Sequence, residues 1–189
     1  MPSTKTYLPG LLALSAFLAL GARELSAQAQ VISLAAAKGS TLTVAIQSGG
    51  VQVIPAVADN AVNDFPAPVV IKTDWDVNPG QTNNVNLVAY FTLPAQALVG
   101  GATQIPSSRM LGRMTTGLPA TFTAFTQNGI GGVGTAGGSL RLFSFNITGG
   151  ANKTGSRTDN LDLRLDLVGF PTLAAGAYTG VLNIRAVTQ

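Results

Sequence analysis

Hydrophobic and polar residues alternate with a period of two along much of this chain. Residues 40–48 put Leu42, Val44 and Ile46 on one face. Residues 69–77 put Val69, Ile71, Thr73, Trp75 and Val77 on one face, with Lys72, Asp74 and Asp76 on the other. Residues 83–93 group Val85, Leu87, Ala89, Phe91 and Leu93. Residues 121–126 form a short run of Thr and Phe, and residues 139–148 put Phe143, Phe145 and Ile147 on one side. Residues 160–168 alternate most strictly: Leu161, Leu163, Leu165 and Leu167 against Asp162, Arg164 and Asp166. A helix would wrap those leucines around its whole circumference, so the pattern predicts a half-buried strand. The last run, 177–188, turns Tyr178, Leu182, Ile184 and Ala186 inward. It points Arg185 outward, toward Asp162 or Asp166 if the two C-terminal strands pair.

Turn signals separate these runs: Gly49-Gly50, Asn78-Pro79-Gly80, Gly100-Gly101, Gly149-Gly150 and Gly169-Phe170-Pro171. Residues 94–106 are expected to hold one short helical turn around Ala95–Leu98. Residues 128–138, rich in Gly, read as an exposed loop. Ser107, Ser108, Arg109 and Arg113, with Met110, Leu111 and Met114, read as a loop tucked onto the body of the protein. Eight or nine short strands, each apolar on one face, predict an all-β, antiparallel sandwich of the immunoglobulin-like kind, with Trp75 at its centre. A transmembrane barrel is disfavoured, because it needs longer strands and aromatic girdles.

Residues 1–29 read as a signal peptide that is removed. Lys5 supplies the positive start, residues 11–20 the apolar stretch, and Ala27-Gln28-Ala29 the cleavage pattern. The apolar stretch is shorter than the roughly 20 residues a membrane helix needs. The expected mature chain is a single β-sandwich domain, residues 30–189, secreted or periplasmic, with no membrane span.

Composition narrows the chemistry. The chain has no Cys and no His, which excludes disulfides, thiolate chemistry, imidazole acid–base catalysis and the usual zinc sites. Only 10% of residues are charged, so Thr, Ser, Asn and Gln must supply most of the polar surface. The cations are dispersed without interleaved aromatics, so nucleic acid is not an expected partner. Gly129-Ile130-Gly131-Gly132-Val133-Gly134 fits the spacing of a dinucleotide loop but lacks a following helix, so a hairpin loop is the expectation. Asp74 and Asp76 share a strand face about 7 Å apart, which suits an acid pair or part of a Ca²⁺ site. With no further ligand in view, the solvated strand face is preferred. Asp159, Asp162, Asp166, Arg157 and Arg164 read as a mixed-sign stripe on a solvated outer face. Asn146-Ile147-Thr148 and Asn152-Lys153-Thr154 match the glycosylation tripeptide. No catalytic residue, cofactor or metal site is assigned.

The run Leu173-Ala174-Ala175-Gly176-Ala177-Tyr178-Thr179-Gly180-Val181-Leu182-Asn183-Ile184-Arg185-Ala186 resembles the closing strand of bacterial secreted immunoglobulin-like domains. The resemblance is closest to spore-coat-protein-U-type and related pilin subunits, and it covers about residues 171–187. It implies a non-enzymatic surface subunit, whose partners are itself or other subunits joined by β-strand addition. Residues 30–48 suit either a donated strand or the first strand of a self-contained sandwich. The alternative function is an extracellular carbohydrate- or ligand-binding sandwich. For that role the aromatic supply is thin, since Tyr7 lies in the leader and only Tyr90 and Tyr178 remain.

Overall fold

A computed structural model describes residues 41–78 and 84–189, together with the strand backbone at 27–28, 30–31 and 34–35. The rest of the expected leader and the Pro79-Gly80 part of one expected turn lie outside the described residues. The strands are β1 (Ala27–Gln28), β2 (Gln30–Val31), β3 (Leu34–Ala35), β4 (Thr41–Ser48), β5 (Val51–Gln52), β6 (Val62–Asp64), β7 (Val69–Asp76) and β8 (Asn84–Tyr90). There follow β9 (Leu98–Gly100), β10 (Thr103–Ile105), β11 (Met110–Met114), β12 (Thr123–Ala124), β13 (Ser139–Asn146), β14 (Thr154–Asp166) and β15 (Asn183–Thr188). The only helical pieces among the described residues are two 3₁₀ turns, Pro94–Gln96 and Ser107–Arg109. No helix among them is long and apolar enough to cross a membrane.

Two sheets carry the all-β sandwich. The larger runs β12-β11-β14-β7-β4-β3, with β6 also paired to β14; the smaller runs β13-β8-β15-β2. At 13 residues, β14 is long enough to pair with β7 along its first half and with β6 beyond it. The pairings are antiparallel except that β2 runs parallel to β15, matching Gln30 with Asn183 and Val31 with Ile184. A few residues later β3 pairs with β4 in the other sheet. The N-terminal segment therefore crosses between the sheets, and β4 pairs along β7 within the chain.

Between the sheets lies one apolar core. Leu161, Leu163, Leu165 and Leu167 of β14 and the strand end, with Val69 and Ile71 of β7, face Val85, Leu87, Ile184 and Ala186. Burying such side chains stabilises the fold by about 1.5–3 kcal/mol each. Phe91 meets Phe125 edge-on at 5.3 Å, and Trp75 meets Phe145 at 5.1 Å. Trp75 is buried but near the end of its strand, where its indole N–H points to the Asn152 carbonyl at 3.4 Å. It closes one end of the sandwich and does not occupy the centre. Its register partner is Gly155, where even a methyl group would run into the indole.

Several segments depart from the alternation reading. The expected loop around Met110 is strand β11, because Met110, Gly112 and Met114 turn inward while Leu111 and Arg113 turn out. The loop at 128–138 is largely exposed and holds the expected hairpin, but Val133 and Ile130 fold onto the smaller sheet. Ile130 and Val133 bridge across Gly131 and Gly132, whose φ angles of 58° and 76° make a tight two-glycine turn. Val133 packs on Val88 and Tyr90, with Ile130 and Val187 beside them. That cover explains why β8 is buried on both faces. Leu93 is 59% exposed, because the chain leaves the strand before it. The run 121–126 shortens to Thr123–Ala124, and the closing strand starts only at Asn183.

Candidate interaction surfaces

The outer face of the larger sheet gathers most of the charge. Asp74 Oδ1 lies 3.0 Å from Lys72 Nζ, and Thr154 Oγ1 donates to Asp76 Oδ1 at 2.9 Å. A hydroxyl bond from Ser156, and then Lys72, holds Asp74 below the ordinary carboxylate range. The two acids that the sequence paired are thus each engaged by neighbours on their own sheet.

Further along β14, Arg113 binds Asp162 at 2.6 Å and Arg164 binds Asp64 at 2.6 and 3.0 Å. The Arg164 hydrogen bond lowers Asp64, and the same bond raises Arg164. Both guanidiniums also stack on one ring: Phe122 lies 3.9 Å from Arg164 and 4.6 Å from Arg113. Such contacts contribute about 0.5–1 kcal/mol at exposed sites. The short β12, next to Phe122, pairs with β11 and brings the ring beneath the two arginines. Sequence reading had no signal for this clamp, since Phe122 comes from a different segment.

Arg157 and Asp159 depart from the expected solvated stripe. Their positions on β14 face inward, and Asp159 is fully buried. Arg157 Nε donates to Asp159 Oδ2 at 2.6 Å, and Thr116 Oγ1 donates to Oδ1 at 2.8 Å. The guanidinium lies 4.4 Å from the Phe143 ring of the opposite sheet. This ion pair ties the two sheets and the 115–121 loop together at the sandwich mouth.

Arg185 does not meet Asp162 or Asp166, because β14 and β15 belong to different sheets. It lies on the outer face of the smaller sheet, in register with Val88, which is also in register with Arg141. The Arg185 Nε is enclosed without an acceptor. The glycosylation tripeptide at Asn152 is part of a turn: its carboxamide accepts from the Thr148 and Gly149 N–H groups and donates to the Asn146 carbonyl.

One end of the molecule bears a groove of about 410 Å³. Phe91, Leu93, Val99 and Val181 give it apolar walls, and Thr92, Gln96 and Thr179 give it polar groups. Gly180 sits beneath it, against the Ala97 carbonyl, where a side chain has no room. Among the described residues no three acidic side chains come together as a metal-binding group. No family model, curated protein or solved structure matches the chain.

Proposed function

We propose that this chain is a secreted or cell-surface, non-enzymatic structural and interaction module, a subunit of a coat or pilus-like assembly that works through its sheet faces and edges. One observation carries the reading. The acids and arginines of the larger sheet, including Asp74 and Asp76, lie in register on a sheet surface and are engaged by neighbours there. They do not converge on a common point. A chemical site needs reactive groups aimed at one reacting atom, whereas a sheet face presents them to a broad partner. The parallel docking of β2 against β15 also supports a module whose edge accepts a strand. The leader-like segment supports export, and the closing-strand resemblance supports the subunit role. The test is chemical cross-linking and fractionation in the native host. Cross-linked multimers at the cell surface are expected; a monomer confined to the cytoplasm would end the reading.

The end groove favours a second reading, ligand binding. Its volume falls within the roughly 300–1,000 Å³ of small-molecule sites, and its open, half-polar walls suit a polar ligand better than an apolar one. A glycan array would test it, with Val181→Arg as the control that fills the groove. Binding lost in that variant supports a ligand site; an array that stays silent for the native chain counts against a carbohydrate.

A further inference from the structure

The two outer faces of the sandwich carry opposite charge, and the segregation is complete on one of them. The outer face of the larger sheet presents Lys72, Arg113 and Arg164 against Asp64, Asp74, Asp76, Asp162 and Asp166, a formal excess of two negative charges. The ion pairs use up the three cations. Asp76 and Asp166 form no ion pair among the described residues, where Asp76 accepts from the Thr154 hydroxyl and Asp166 from the Val168 N–H. The outer face of the smaller sheet is built from Ser139, Arg141 and Ser144 of β13, Asn86, Val88 and Tyr90 of β8, and Asn183, Arg185 and Val187 of β15. No acidic side chain lies on those strands, so Arg141 and Arg185 stand uncompensated there. Arg109, Arg113, Arg157 and Arg164, by contrast, each hydrogen-bond a carboxylate or a carbonyl. Arg141 and Arg185 share one row, about 10 Å apart across β8. The Gly131-Gly132 hairpin covers Val88 in the middle of that row.

We propose that the occupant of this face is a second copy of the chain, with the hairpin-covered outer side of the smaller sheet, flanked by Arg141 and Arg185, set on the outer face of the larger sheet of the next molecule. Charge complementarity favours this occupant: the strands of one face hold two positive charges in excess and those of the other two negative charges in excess. Asp76 is the carboxylate of that face with no ion pair among the described residues, and Asp166 shares Arg164 with Asp64 and lies beside the Val168 carbonyl that Arg109 binds. Because the two faces differ, the contact is head-to-tail, and repetition makes an open row of molecules, not a closed pair. Complementary charge sets register and speeds encounter more than it adds affinity, so the contact is salt-sensitive.

The inference rests on the subunit reading, and a charge-swap experiment separates the two. Sedimentation of the purified exported protein is measured between about 0.01 M and about 1 M salt, where the screening length falls from roughly 30 Å to 3 Å. One variant carries Arg141→Glu with Arg185→Glu, the other Asp76→Lys with Asp166→Lys, and thermal melts check that both fold. The native chain is expected to associate at low salt and to dissociate as salt rises. Each variant alone is expected to stay monomeric, and an equal mixture of the two to associate again. If either variant does not fold, the neutral pairs Arg141→Gln with Arg185→Gln and Asp76→Asn with Asp166→Asn replace it, with weakened association expected. Assemblies indifferent to these charges would overturn face stacking while leaving the subunit reading standing. A native chain that stays monomeric at all salt concentrations would overturn face stacking outright. Multimers in the host would then have to rest on strand addition or on another partner.

Discussion

At the scale of single residues, the buried ion pair is the sharpest dependence in the molecule. Asp159 is shut off from water and its charge is met by Arg157 and the Thr116 hydroxyl. Removing the arginine strands a charge in the core mouth, which costs about 3–5 kcal/mol in buried pairs. Arg157 is 26% exposed, so the lower end applies here. Arg157→Leu is therefore expected to lower the denaturant midpoint, and Arg157→Leu with Asp159→Leu to recover much of the loss. A single variant as stable as the native chain would refute this role. The surface acids behave differently. Asp64 is held below its ordinary value of 3.8 by the Arg164 hydrogen bond, and Asp74 by Ser156 and Lys72. A carboxylate depressed in the folded state stabilises it above the unfolded pKa, and that contribution fades as pH falls through the folded value. The melting temperature is thus expected to decline below about pH 4. The decline should be shallow, because these pairs are exposed and screened. Asp64→Asn should flatten part of the decline, as scanning calorimetry across pH 2–6 would show.

At the scale of elements, what could be read from the sequence depended on how strongly inward and outward positions differ. Strands β4, β7 and β14 alternate leucine, valine and isoleucine with polar residues, and their faces fall as the pattern requires. Strand β11 escaped because one of its inward positions is Gly112, packed against Leu140, Leu161 and Phe125, and because Leu111 faces out. Polarity also misplaced Arg157 and Asp159: a charged pair that neutralises itself can point inward, and the sequence does not mark which pairs do. The expected meeting of Arg185 with Asp162 or Asp166 failed for another reason, since alternation says nothing about which strands are neighbours. Of the candidate surfaces, the Asp74–Asp76 face was visible in the pattern. The Phe122 clamp, the end groove and the uncompensated arginines come from contacts across distant segments. The hairpin at 130–133 was legible as a turn but not as a cover. Its two glycines hold positive φ, a region that costs other residues about 1–2 kcal/mol each. Replacing both with Ala is expected to loosen Val133 from Val88 and Tyr90 while leaving the main core intact. Faster proteolytic cutting within residues 128–138, with a melting temperature lowered by only a few degrees, is the expected result. Unchanged cutting would mean that the turn does not hold the cover down.

At the scale of the whole molecule, the N-terminal segment decides whether the sandwich is closed by its own chain or by another. Strand β2 lies on the smaller sheet and β3 on the larger, so this segment contributes a strand to each layer. Strand β1 lies upstream of the expected cut after Ala29 and, among the described residues, pairs with β5 alone. Cleavage there would remove that ribbon and leave β2 and β3 as the first strands. If the chain is exported as proposed, the mass of the processed protein is expected to correspond to a start at Gln30; a full-length mass would refute cleavage there. Backbone pairing of an added strand is the same whether or not it is covalently attached, so the attachment of this segment can be tested by breaking it. A chain lacking residues 30–40 exposes the sheet edges that β2 and β3 cover, and exposed edges recruit strands from solution. Such a chain is expected to melt lower than the full mature chain and to self-associate. A synthetic peptide of residues 30–40, supplied at about 100 times its dissociation constant, adds about 2.7 kcal/mol to the folded state. For a domain of this size that is a rise of about 5–10 °C in melting temperature. A rise of that order with return to monomer would establish that the edge accepts this strand in trans, as subunit-to-subunit donation requires. A truncated chain as stable as the full one, or one deaf to the peptide, would show that these residues do not close the sandwich.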